Sequence, residues 1–132
     1  MKIKECCKII SQECIAKDIY SMWISTEAIA KEAKPGQFIS VYTKDAGKLL
    51  PRPISLCEID REKGALRIVY RIAGGGTREF SRLRSGDSID ILGPLGNGFP
   101  LEETKGKRVM LMGGGIGIPP MLETAKAIQG EK

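Results

Sequence analysis

The chain has 132 residues, with 21 basic and 16 acidic side chains, a net charge of +5 and no histidine. That length holds one ordinary domain with its own core, or one domain and part of another, so no disulfide framework is required. The charge is scattered rather than striped, no apolar run reaches transmembrane length and the first residues lack an apolar signal region. A soluble cytoplasmic protein, with no nucleic-acid partner and no membrane insertion, is therefore expected.

Ile3 to Ser25 reads as two strands broken near Ala16-Lys17-Asp18, with Ile9, Ile10 and Ile15 before the break and Ile19, Met22, Trp23 and Ile24 after it. Such β-branched and aromatic enrichment fits an antiparallel pair. Thr26 through Lys34 carries helix formers, and Pro35-Gly36 ends the segment. Gln37 to Thr43 alternates as a strand, followed by a polar loop at Lys44–Lys48. In Leu50-Pro51-Arg52-Pro53-Ile54-Ser55-Leu56-Cys57, two prolines bracket Arg52. They fix φ on both sides and remove ladder donors, so the strand should start late or bulge, with Arg52 on a stiffened backbone. The same residues fit an edge-strand start with a surface arginine.

Asp60 to Gly64 is a hairpin turn into a strand at Leu66–Tyr70. That strand runs through Arg71-Ile72-Ala73 into Gly74-Gly75-Gly76-Thr77. Glycine lets backbone approach a ligand and turn its N–H groups inward, and Thr77 is placed to cap a short helix over Thr77–Arg84. A phosphate or pyrophosphate seat has this form; so does a plain exposed turn. Phe80 and Leu83 share one face of that helix and Ser85-Gly86 ends it. Asp87 to Leu92 alternates as a further strand, and Gly93-Pro94-Leu95-Gly96-Asn97-Gly98-Phe99-Pro100 reads as a shaped loop outside regular structure. About six short strands with one helix make a closed or nearly closed antiparallel barrel, mainly β.

The texture changes after Leu101. Glu102 to Lys107 is a charged linker, and Arg108-Val109-Met110-Leu111-Met112 reads as a strand buried on both faces. Gly113-Gly114-Gly115-Ile116-Gly117-Ile118-Pro119-Pro120 follows, then a helical run from Met121 to Ile128. Strand, glycine turn and helix open a dinucleotide-binding unit, although the spacing is not G-x-G-x-x-G. One βα unit cannot bury both faces of its strand, so the chain is expected to stop inside a second domain.

The missing histidine removes the commonest general base and metal ligand. Cys6, Cys7, Cys14 and Cys57 form no C-x-x-C pair, and adjacent Cys6 and Cys7 on a strand point to opposite faces. Ser-His and Cys-His catalysis are therefore excluded, and no metal site is expected within the chain. Its chemistry must come from a bound organic cofactor or from another chain.

Together these motifs resemble the ferredoxin–NADP reductase superfamily and, within it, the electron-transfer subunits of two-subunit, NAD-linked (class B) dihydroorotate dehydrogenases. The quoted stretches Arg52–Ser55, Val69–Arg71, Gly76-Thr77, Gly93–Phe99 and Gly113–Pro120 carry the resemblance. It implies a six-stranded antiparallel Greek-key barrel with one short helix as the FAD-binding domain (1–101). The truncated first βα unit of an NAD-binding α/β domain would follow (102–132). It implies FAD contacts from Arg52, Pro53, Ile54, Ser55, Val69, Tyr70, Arg71, Gly76 and Thr77, with Arg52 at the pyrophosphate and Ser55 at the isoalloxazine edge. Gly113, Gly114, Gly115, Ile116 and Gly117 would form an incomplete NAD side. The implied partner is an FMN-containing catalytic subunit that oxidises dihydroorotate in pyrimidine biosynthesis, with electrons passing through a [2Fe–2S] centre and FAD to NAD⁺.

Two departures stand out. Many relatives carry an aromatic between the arginine and serine of the Arg52–Ser55 motif, where Ile54 stands here as it does in the dihydroorotate-linked branch, and the family's C-terminal cysteine cluster for [2Fe–2S] is absent. The fragment alone is expected to be inactive. Other readings are an NAD(P)H-dependent flavin or ferredoxin reductase subunit, or a non-catalytic barrel fragment that binds flavin or a partner.

Overall fold

The computed structural model describes residues 2–44 and 50–129. Residues 45–48 of the expected polar loop and 130–132 of the expected second domain lie outside them. Six strands, β1 (Ile3–Ala16), β2 (Ile19–Ser25), β3 (Phe38–Tyr42), β4 (Arg52–Asp60), β5 (Ala65–Arg71) and β6 (Ser88–Leu95), close into one barrel in the order β1-β2-β5-β4-β3-β6. Every neighbouring pair is antiparallel. The return of β3 and β4 to β5, rather than to β2, is the Greek-key crossing that sequence alternation alone does not specify. Closure gives every strand a neighbour on both sides, although β3 reaches only the first half of β4.

Alternation decides the core. Ile9, Ile24, Ile39, Leu56, Ile68 and Ile91, one from each strand, are fully buried inside the barrel. Cys6 and Cys7 fall on opposite faces as expected, the first exposed and the second buried. Asp18 turns the β1–β2 hairpin at φ 60° and accepts a hydrogen bond from Ile72 N–H at 2.8 Å. The helix expected after Thr26 forms as α1 (Glu27–Glu32).

Four expectations change. The second helix, α2, spans Gly75–Phe80 rather than 77–84, and its N-cap is Gly74. Gly74 adopts φ 151°, which a Cβ would disfavour, so the cap falls to glycine and Thr77 lies inside the first turn. The Gly93–Leu95 segment is strand, because closure gives it partners on both sides: Ile3 pairs Gly93 and Phe38 pairs Leu95. The remaining loop is clasped to the Pro35 turn. Gln37 Nε2 donates to the Gly96 carbonyl at 2.8 Å, and Phe99 N–H donates to that of Pro35 at 2.9 Å.

The largest change is at 108–112, which forms no strand and is exposed throughout. A strand of that type needs ladder partners, and none lies among the described residues. The glycine stretch after it holds a 3₁₀ turn at Gly115–Gly117, then α3 (Pro120–Gln129). No described helix is long and apolar enough to cross a membrane.

Helix α3 packs on β4. Glu58 receives Arg67 at 2.8 Å and also Lys126 of α3. Burial works against the Glu58 carboxylate, but hydrogen bonds from Lys126 and Arg67 outweigh it and hold its pKa below the usual 4.5. This contribution to stability is therefore complete above about pH 4.5 and is lost as pH falls through the lower folded value. Acidification from pH 5 to 3 should loosen α3, read as faster amide exchange in 120–129 after correction for intrinsic rates. Thr124 is buried, and its hydroxyl finds no partner among the described residues. Thr124→Val should stabilise by ~1 kcal/mol and raise Tm by about 4 °C in a thermal melt.

Candidate functional site

Period-two alternation on the adjacent strands β4 and β5 builds the site. A cleft of about 330 Å³ is lined by Arg52, Pro53, Ile54 and Ser55 of β4 and by Val69, Tyr70 and Arg71 of β5. Ala73 and Thr77 close one end, and Ile116 and Pro120 face it from the later segment. No carboxylate lines it, whereas two guanidinium groups do. A dianionic ligand thus meets positive charge with no competing anion.

Arg52 is half-buried and lies directly against the start of α2. A Cβ placed on Gly76 would sit 3.0 Å from Arg52 Nε and 3.3 Å from its Cγ. Any side chain at Gly76 would press the arginine aside by a few tenths of an ångström, so the β4 cation and the glycine turn share one place. Thr77 serves that turn from within. Its hydroxyl accepts the Ala73 N–H at 2.7 Å and donates to the Gly74 carbonyl at 3.3 Å, holding the bend closed. Gly76 and Thr77 belong to the first turn of α2, which brings their backbone beside Arg52 at this end of the cleft.

Not every expected residue contributes a side chain. Ile54 and Tyr70 border the cleft, but both side chains belong to the barrel core. The Tyr70 ring stacks on Tyr20 with centroids 6.0 Å apart and meets Phe80 edge-on at 6.3 Å. Burial, with Tyr20 beside it, pushes the Tyr70 phenol up, so it stays protonated. Its O–H donates to Gln12 Oε1 at 2.5 Å, while Gln12 Nε2 donates to the Phe80 and Leu83 carbonyls at 2.9 and 2.7 Å. Gln12 thus joins β1, β5 and the end of α2. Sequence reading missed it because nothing local marks a glutamine whose partners lie 58 to 71 residues away.

Of Gly113, Gly114, Gly115, Ile116 and Gly117, only Ile116 lines the cleft; the three leading glycines are exposed beside it. A larger hollow of about 700 Å³ lies elsewhere, against Val109, Leu111, Ala125 and Ile128. It borders the segment that forms no strand and gathers no guanidinium pair, so the smaller cleft is the better candidate. The buried thiols are unsuited to nucleophilic work. Burial and the neighbouring Glu5 push Cys7 up to about 12, and burial raises Cys57. No described cluster of His, Cys, Asp or Glu could hold a metal ion.

Comparison with known proteins agrees with this architecture. A family model described as an oxidoreductase FAD-binding domain matches residues 6–99. The chain is 45% identical over 129 residues to the "Dihydroorotate dehydrogenase B (NAD(+)), electron transfer subunit" of Streptococcus mutans, covering 97% of this chain and 50% of that one. It is 45% identical over 122 residues to the protein of that name from Bacillus caldolyticus, covering 91% and 48%. Among solved structures, an NADH-dependent reduced ferredoxin-NADP oxidoreductase studied for flavin-based electron bifurcation superposes with a TM-score of 0.81 at 31% identity. That match covers 95% of this chain and 44% of the other. The chain spans about half the length of the curated relatives it matches.

Proposed function

We propose, since this chain belongs to the oxidoreductase FAD-binding domain family, that its β4–β5 cleft holds FAD and that it serves as the flavin module of an electron-transfer subunit. The observation that carries the reading is Arg52 lying against Gly76, inside a cleft that also gathers Ser55, Arg71 and Thr77 and admits no carboxylate. The donor set fits a dinucleotide. Arg52 and the first turn of α2 would take the pyrophosphate by charge-assisted bonds, and Arg71 would add a second cation. Pro53, Ser55 and Val69, alternating with the core residues, would offer a flat wall to the ring system. Ile54, Tyr70 and Gly76 would act through backbone and packing.

A bound FAD supplies exchange between one-electron and two-electron carriers, so the protein needs no acid, base or nucleophile of its own. What the chain's residues do is bind, orient and exclude water. The names of the relatives support a place beside a partner subunit of a dihydroorotate dehydrogenase; we infer that this partner carries FMN and oxidises dihydroorotate in the cytoplasm during pyrimidine synthesis. NAD⁺ would be the electron acceptor and a [2Fe–2S] centre the relay, for which no described residue cluster of this chain offers ligands. We place the domain boundary after Leu101, where the barrel ends in a 3₁₀ turn at Leu101–Thr104. Gly113–Gly117 would then serve the NAD side.

Titration of the flavin-free chain with FAD tests the reading. At about 100 times Kd, binding to the folded state alone adds ~2.7 kcal/mol, which raises Tm by roughly 10 °C. An unchanged Tm, with no flavin retained after gel filtration, would overturn it.

A further inference from the structure

On the β3 side, β4 pairs only over Arg52–Ser55, and its register with β5 shifts between Leu56 and Glu58. The second half of β4 is therefore left with N–H groups that the ladder does not take up. One of them, Ile59 N–H, is buried and donates to Glu123 Oε1 of α3 at 2.7 Å. Glu123 is only 9% exposed, unusual for a helix carboxylate. It lies one turn into the helix that Pro120 begins, and Pro120 and Ile116 line the same cleft as Arg52–Ser55. Lys126, one turn further on, reaches Glu58 of the same strand.

We propose that Glu123 is a positioning residue: by fixing the start of α3 to the second half of β4, it holds Pro120 and Ile116 in place at the cleft that Arg52–Ser55 also line, and so sets how far that cleft opens. The half-exposed Lys126, on a long flexible stem, can follow Glu58 through small shifts of the helix. A buried carboxylate on a single backbone N–H cannot, because release leaves both groups desolvated and unpaired. The inference rests on the flavin reading for the cleft's occupant, but the Glu123–Ile59 link stands apart from it.

The test compares Glu123→Ala, Glu123→Gln and wild type in three readouts: amide exchange at Ile59 without flavin, FAD affinity, and iodide quenching of the bound flavin's fluorescence. Glu123→Ala should speed Ile59 exchange about tenfold, weaken FAD about tenfold and raise iodide access severalfold, in line with loss of one buried charge-assisted hydrogen bond. Glu123→Gln keeps an oxygen acceptor and should stay within about twofold of wild type in all three. Where Glu123→Ala does not fold, Glu123→Asp, one methylene short of Ile59, should shift each readout in the same direction. A purely structural residue would lower Tm without changing iodide access. Wild-type FAD affinity and iodide access in Glu123→Ala would overturn the proposal, as would Glu123→Gln behaving like Glu123→Ala. If wild type binds no FAD, the flavin reading falls, and Ile59 exchange still decides: faster in Glu123→Ala upholds the link, unchanged refutes it.

Discussion

Arg52→Ala is expected to weaken FAD binding about 100-fold while leaving the melting temperature of the flavin-free chain nearly unchanged. The guanidinium lies where β4 meets the glycine turn, half-buried and held at close range by Gly76. One charge-assisted hydrogen bond from it to a pyrophosphate contributes about 1.5–3 kcal/mol, and each 1.4 kcal/mol is a factor of ten. Arg52→Lys keeps the charge but loses the planar fork and should recover only part of the affinity. Arg71 is exposed, so Arg71→Ala should cost about tenfold or less. Isothermal titration with FAD measures all three. An Arg52→Ala chain that binds FAD like wild type would remove the pyrophosphate from this place.

Phe80→Ala should be the most destabilising single change in the site's framework, at ~3–5 kcal/mol. The ring is fully buried, meets Tyr70 edge-on and ends α2, so it anchors the glycine turn in the barrel. Its loss leaves a cavity beneath the turn and frees the carbonyl that Gln12 holds. For a chain of this size, Tm should fall by roughly 10–20 °C in differential scanning calorimetry. Because the turn loosens, FAD should restore less stability to this variant than to wild type. A fall of under about 3 °C would contradict the role given to Phe80.

Most of the barrel was legible because alternation is local. Each strand declared its buried face within five to fourteen residues, and the prolines around Arg52 marked the start of β4. The cleft was legible for the same reason: once β4 and β5 are neighbours, Pro53, Ser55, Val69 and Arg71 fall on one face without further information. What failed was settled at a distance. Gly93-Pro94-Leu95 looks like a loop until β1 and β3 close on either side of it. Thr77 has the chemistry of an N-cap, but the bend from β5 into α2 demands φ 151° at Gly74, and the threonine hydroxyl then serves Ala73. Residues 108–112 have a strand's composition without a strand's neighbours. Glu123 is invisible in sequence because its partner, Ile59, lies 64 residues away.

A structure of the chain with FAD bound tests the central claim most directly. The account predicts the pyrophosphate within hydrogen-bonding distance of Arg52 at the start of α2, and the ring against Ser55 and Val69. A flavin seated instead in the hollow beside Val109 and Leu111, with Arg52 facing solvent, would contradict it.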